Sequence, residues 1–474
     1  MTAIVWFRQD LRIADNPALH EAAREGKVLP VFIQEDADRV GDTHPPGGAS
    51  RWWLHRSLDA LHSELGGLTC LRGDARVVLP ALVRETGAKA VYWNRCYEPH
   101  AIERDSTIKA DIKADGVDVR SFNASLLFEP WEVETRAGGP FKVYSPFWRA
   151  LQEKTVPDPL GAPERLELAS GPAGEDIADW GLLPSRPNWA RGFEDVWQPG
   201  ERGAMNRLES FLQEGLENYG SLRDRPDLPN VSRLSPHLHF GEISPRQIWH
   251  KTKQLDRYSS DTGKFLSEIA WREFAYHLLY HFPKMPSQNW KPDFDAYPWR
   301  DSPQDLEAWQ RGKTGYPIVD AGMRELWHTG YMHNRVRMIA ASFLVKHLRL
   351  HWHHGEAWFR DTLVDADLAN NSAGWQWVAG SGADAAPYFR VFNPMSQGAK
   401  FDPDGAYVRK WCPELKRLAT EHIHAPFLAP QEALDRAGVK LGQTYPHPIV
   451  DHPAARKAAL EGYEQVKQAS DSGA

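Results

Sequence analysis

The chain has 474 residues, a formal charge of −7 and three cysteines, Cys70, Cys96 and Cys412. That length suggests two or three domains that fold without disulfides, and three widely spaced thiols offer neither a metal cluster nor a disulfide framework, so a reducing, cytoplasmic setting is expected. The acidic total argues against a generally basic nucleic-acid binder but leaves room for a local basic face, and no apolar run of about 18 residues points to a membrane span or signal peptide.

From the start to about residue 128, short apolar runs alternate with helix-like segments, the pattern of parallel strands joined by crossover helices. Residues 4–7, 28–33, 68–71, 90–93 and 119–122 read as strands, and 16–24, 51–65, 75–86 and 101–114 as helices. The expectation is an α/β domain over 1–128 with a Rossmann-like sheet and any ligand at the carboxyl ends of its strands. The first strand leads into Phe7-Arg-Gln-Asp-Leu-Arg-Ile-Ala-Asp-Asn-Pro17 without a Gly-x-Gly-x-x-Gly, which argues against a nicotinamide dehydrogenase. Residues 129–200 are rich in Pro, Gly and charge and read as a connector over the surface, interrupted by the aromatic segment Tyr144-Ser-Pro-Phe-Trp-Arg149, which is expected to dock. Over 201–474 the character changes: 206–219, 244–254, 264–281, 303–311, 320–330, 334–350, 356–363 and 454–467 suit helices, which predicts an all-α second domain.

The stretch from Asp365 to Trp377 crowds acids, paired amides and large aromatics into a few residues, a poor composition for a core. Asp365 and Asp367 can accept hydrogen bonds, Asn370 and Asn371 can donate and accept, and Trp375 and Trp377 offer stacking surfaces, which together outline a ligand site. The plainer alternative is a turn with an Asp cap, followed by two core tryptophans. The chain has 20 tryptophans, which pack a large core or serve a protein that handles electrons or stacked rings.

Seven motifs in order resemble those of the photolyase and cryptochrome family: Trp6 to Pro17, Ser232-Arg-Leu-Ser-Pro236, Gly241-Glu-Ile-Ser-Pro-Arg246, Trp271-Arg-Glu-Phe274, Gly315 to Arg324, Met332-His-Asn-Arg335 and Asp365 to Trp377. Within the family the chain is most similar to members that repair cyclobutane pyrimidine dimers, in the subgroup related to plant cryptochromes. The resemblance implies an antenna domain, a connector, and a helical domain that buries a folded-back FAD, reached by UV-damaged DNA through a hole in the surface. It places Tyr219, Ser232, Arg233, Leu234 and Ser235 on the phosphate and ribitol side, with Phe265 as an aromatic wall. Around the isoalloxazine it places Arg272, Asn334, Arg337, Asp365, Asp367 and Asn371. Two departures stand out: Asn230-Val231 replaces the usual Gly-Thr pair, and Phe265 stands where the best-known relative has a Trp.

Asn371 matches the position beside flavin N5, where cryptochromes tend to carry an acid or a Cys; a neutral amide there favours the reduced flavin that repair needs. The implied reaction is light-driven: one electron passes from excited reduced FAD to the dimer, both cyclobutane bonds break, and the electron returns. Glu268, if protonated, would donate to a pyrimidine carbonyl, while Trp271 and Trp377 would flank a flipped-out dimer and Asn334 and Met338 complete the pocket. Trp375, Trp352 and Trp299 match the family's tryptophan chain from flavin to surface, and Arg223, Arg335 and Arg390 its DNA-backbone contacts. For the antenna, Tyr97 and Glu98 are retained and 5,10-methenyltetrahydrofolate is expected, with a deazaflavin or no antenna as alternatives. No metal and no membrane are implied, and a monomer is expected. The competing reading from another class is a cryptochrome-type photoreceptor; a lyase acting on (6–4) photoproducts is a change of substrate.

Overall fold

A computed structural model describes residues 1–35, 42–255, 259–385 and 389–472. Five parallel strands, β1 (Thr2–Phe7), β2 (Lys27–Gln34), β3 (Thr69–Arg72), β4 (Ala90–Asn94) and β5 (Asp118–Phe122), form one sheet in the order β3-β2-β1-β4-β5. The central β1 buries Ala3 to Phe7 on both faces, as a parallel strand covered by helices must, which is why it reads as an unbroken apolar run. The helices Pro17–Glu25, Gly48–Leu65, Ala75–Thr86 and Pro99–Ala114 supply the crossovers. This is the sheet that the apolar alternation predicts, with strand boundaries moved by at most two residues.

The second half is helical, as expected, but two predicted helices are broken. Asn334–Ser342 ends in a π-turn over Phe343–His347 rather than continuing to 350, and Glu201–Ser210 ends in another over Phe211–Gly215. Such turns insert one residue into the hydrogen-bond ladder and re-aim the chain beyond them, and periodicity cannot see them. The long Ser260–His281 helix starts earlier than predicted because Ser259 and Thr262 form a reciprocal cap. Against it docks the helix Tyr144–Gln152 of the connector, burying Tyr144, Phe147 and Leu151 and donating the Tyr144 hydroxyl to the Ser267 carbonyl.

The two halves are joined by buried polar contacts. Arg12 is fully buried and donates to the carbonyls of Ala14 (3.1 Å), Asp15 (2.6 Å), Ala124 (2.8 Å) and, across the seam, Gly241 (2.8 Å). Asp15 pairs with Arg246 at 3.0 Å, and Glu273 accepts the Leu127 N–H at 2.8 Å. Gly241 has φ +67°, and a Cβ there would run into the Gln9 carbonyl, so glycine is required. Two of the sequence motifs, Trp6 to Pro17 and Gly241 to Arg246, therefore serve this weld. Glu242 accepts from the Trp53 indole and the Gly200 N–H and pairs with His237. Among the described residues no helix is long and apolar enough to cross a membrane, and no cluster of His, Cys, Asp and Glu could hold a metal ion.

Candidate flavin and substrate site

A cavity of about 760 Å³ opens within the helical half. Its walls come from the turn before the short Ser235–His239 helix and from the helices Ser260–His281, Asn334–Ser342 and Leu368–Ala379. Every residue assigned by resemblance to FAD lines it: Tyr219, Ser232, Arg233, Leu234, Ser235, Phe265, Arg272, Asn334, Arg337, Asp365, Asp367 and Asn371. These residues lie far apart in sequence, and folding brings them to one space.

The cavity's charges are held from behind. Arg337 donates to Asp365 Oδ2 at 2.9 Å and to the Met332 carbonyl at 2.7 Å, and the Ser235 hydroxyl donates to the same Asp365 oxygen. The second oxygen of Asp365 is buried without a protein partner. Arg272 donates to the Ser125 carbonyl at 2.7 Å, and its Nε is likewise buried and unpartnered. A buried polar atom left without a partner costs about 1–3 kcal/mol unless a ligand satisfies it. A donor and an acceptor unpaired in one cavity fit a planar heterocycle with both kinds of edge, and FAD is such a group.

Asp367 plays both parts weighed from sequence. It caps the Leu368–Ala379 helix, accepting the Asn370 N–H at 2.8 Å, and it also lines the cavity. Burial pushes its carboxyl above the ordinary range, against the pull of His239 and Arg272. Arg233 has φ +52°, a conformation non-glycine residues seldom hold, and stands 5.2 Å over the Tyr331 ring, with Arg337 at 5.1 Å from the same ring.

Asn371 is oriented by a residue the sequence did not single out. Its amide nitrogen donates to Glu356 Oε1 at 2.8 Å and to the Glu356 carbonyl at 3.2 Å. A backbone carbonyl can only accept, so the NH₂ must point that way and the amide oxygen is left for the cavity.

Glu268, Trp271, Met338, Trp375 and Trp377 also line the cavity, with Arg223 and Arg335. Trp271 stacks on Tyr144 with centroids 3.6 Å apart and planes 8° from parallel, which explains why the connector's aromatic segment docks. Glu268 has cationic neighbours that the sequence reading did not include. Glu268 is ion-paired with Arg223 and, at 3.0 Å, with Lys264, and its Oε2 accepts from Arg223 at 3.0 Å. Arg335 likewise pairs with Asp224 at 2.7 Å. Arg390 is exposed and lies outside the cavity lining.

Of the tryptophan chain, Trp375 lines the cavity, Trp352 is fully buried, and Trp299 is partly exposed. The Trp375 indole rests on the backbone of the Trp352–Thr362 helix at Gly355, where any Cβ would collide with it. His351 lies 5.7 Å from Trp352 and 4.9 Å from Trp299, centroid to centroid. Tyr97 and Glu98 are both buried, bonded to Glu129 at 2.7 Å and Gln9 at 2.8 Å, and neither lines this cavity.

A parallel α/β sheet is welded to a helical domain whose charged cavity has room for a large cofactor. Residues 3–164 match the family model for DNA photolyase, and residues 265–465 match that for the FAD binding domain of DNA photolyase. The chain is 53% identical to a deoxyribodipyrimidine photo-lyase of Agrobacterium fabrum, with 98% of each chain covered. It is 40% identical to cryptochrome-1 of Arabidopsis thaliana, covering 98% of this chain and 70% of that one. A crystal structure of a class III photolyase from Agrobacterium tumefaciens superposes with a TM-score of 0.95 at 52% identity, over 98% of both chains. The chain belongs to the photolyase and cryptochrome family, and its helical half is the family's FAD-binding domain.

Proposed function

We propose that this protein is a light-driven DNA repair enzyme that splits cyclobutane pyrimidine dimers. The observation that carries the reading is the cavity itself: its lining combines Asp365 and Arg272, each with one buried atom left for a ligand such as FAD, with Trp271, Trp377 and Met338, which suit a flat, apolar lesion flipped out of the duplex. When bound, FAD supplies the electron that opens the cyclobutane ring and recovers it afterwards.

The chain's own residues then have distinct tasks. Arg337 and Asp365 fix one another, so a charge on the cofactor meets preorganised partners. Asn371, held by Glu356, presents a carbonyl oxygen that accepts a proton donor and delivers none. Arg223 and Lys264 are drawn to DNA phosphates, which frees Glu268 to face the pyrimidine. Arg335 exchanges Asp224 for a phosphate in the same way. Trp375, Trp352 and Trp299 serve photoreduction, a task separate from repair. His333 caps the Asn334–Ser342 helix, is 3% exposed and lies outside the cavity lining, and burial lowers its pKa to about 4. That supports cyclobutane dimers over (6–4) lesions, since no histidine acid reaches the pocket from this segment. An antenna such as 5,10-methenyltetrahydrofolate would sit in the α/β domain, where Tyr97 and Glu98 are the residues retained. The protein acts as a monomer on base-flipped DNA in the cytoplasm.

The test is to illuminate chemically reduced protein with oligonucleotides carrying either lesion. Restoration of cyclobutane dimers, with (6–4) lesions untouched, is expected. Repair of (6–4) lesions would overturn the substrate, and light-induced flavin changes without turnover of either lesion would place the chain with the photoreceptors.

A further inference from the structure

Lys346 is a buried ammonium with no carboxylate in ion-pair range among the described residues. It lies on the π-turn Phe343–His347 and is 6% exposed. Its Nζ donates to the Arg390 carbonyl at 2.6 Å and sits 4.5 Å from the centre of the Phe389 ring. Phe389 is clamped in turn by Tyr463 of the His452–Ser472 helix, stacked at 4.8 Å and 10°. Burying a lysine without a counter-ion is unfavourable, and a Met of similar volume would fill the space without that penalty. The position calls for a reason to keep the charge.

Arg390 supplies one. Its backbone is gripped by Lys346 while its side chain is exposed at the surface. Resting on the reading that Arg390 meets the DNA backbone, we propose that Lys346 is a positioning residue for DNA: it fixes the Arg390 backbone and adds a positive charge beneath the phosphate that Arg390 contacts. A charge under a low-dielectric surface is screened less than one in water, so it acts on a phosphate it never touches.

Burial and the charge of Arg390 lower the Lys346 pKa to about 7, so the ammonium is lost within the range of ordinary assays. Nearby titratable groups are His347 on the same turn, lowered by burial to about 3, and His452, paired with it from the C-terminal helix at 2.8 Å and also lowered. Both histidines are held below the ordinary imidazole value, which leaves Lys346 as the group of this cluster whose charge changes near pH 7. An approaching phosphate favours the charged form, and binding is therefore coupled to proton uptake at Lys346.

The experiment measures the Kd of flavin-loaded protein for a duplex with one cyclobutane dimer between pH 6.5 and 8.5 at fixed ionic strength, for wild type and Lys346→Met. Wild-type affinity should fall about tenfold as pH rises, on the basis that one pKa unit is a factor of ten. Lys346→Met should bind as wild type does at pH 8.5, keep its flavin spectrum and show a flat profile. A flat wild-type profile overturns the proposal even if the variant does not fold, and so does a variant that keeps the wild-type slope. Failure of wild type to prefer lesion DNA at any pH would instead sink the repair reading.

Discussion

The weld between the halves and the walls of the cavity are both buried and both charged, yet they satisfy their charges to different degrees. At the weld Arg12 meets four carbonyls and Asp15 meets Arg246. In the cavity Asp365 keeps one oxygen and Arg272 one nitrogen without a protein partner. Buried polar groups that are satisfied hold a fold together, and those left wanting mark where something else must come. The contrast is one of degree, since the weld also leaves Arg8 Nε and Glu273 Oε1 without a hydrogen-bond partner.

The largest effect should come from breaking the weld. Arg12→Met leaves four buried carbonyls without their donor and should lower stability by at least about 3 kcal/mol, seen as a lower thermal midpoint with early flavin release. Retention of the wild-type midpoint would mean that the seam is not under tension from those groups.

Glu273 sharpens the same point through pH. Burial raises its pKa from the ordinary 4.5 to about 8, so the native state holds a proton that the unfolded chain releases earlier. The stability this proton lends is complete below about pH 4.5 and is lost as pH rises through about 8, by up to a few kcal/mol. Glu273→Gln should flatten the midpoint between pH 5 and 8; an unchanged slope would assign the dependence to another group.

In the cavity, Asp365→Asn should cost about 2 kcal/mol, or roughly 30-fold, in FAD affinity because Arg337 loses its carboxylate, while the flavin-free protein keeps most of its stability. Released-flavin fluorescence reads the first and a melt of the apoprotein the second. Equal losses in both would erase the contrast between the two regions.

Trp375→Phe should slow photoreduction of oxidised flavin about tenfold or more and leave repair by chemically reduced enzyme intact, because Phe fills the space over Gly355 but is a poor electron donor. The smallest effect belongs to Glu356→Gln. Its backbone carbonyl still holds one Asn371 hydrogen, so a shift of about 1 kcal/mol against the reduced flavin is expected in a redox titration.

Much of the molecule was legible in the chain. The five strands follow from apolar runs, and the cavity residues were found through motifs such as Ser232 to Pro236 and Asp365 to Trp377. The hidden part depends on partners far away in sequence. Glu356 matters because it lies 15 residues from Asn371 across a helix pair, and Arg272 reaches a carbonyl 147 residues away. The ion pairs of Glu268 escaped notice for the same reason, although Lys264 stands at i−4 on one helix face. The π-turns at Phe343–His347 and Phe211–Gly215 leave no mark on hydrophobic periodicity.

The pairing of Arg223 with Glu268 and of Arg335 with Asp224 bears on how affinity responds to salt. A cation that already owns a carboxylate displaces a condensed counterion from DNA only by abandoning that carboxylate, which then gathers a cation from solution. Net ion release per phosphate contact therefore falls below the value of about 0.9 expected for freely solvated arginines. Lesion binding should tolerate salt better than a count of arginines at the rim suggests.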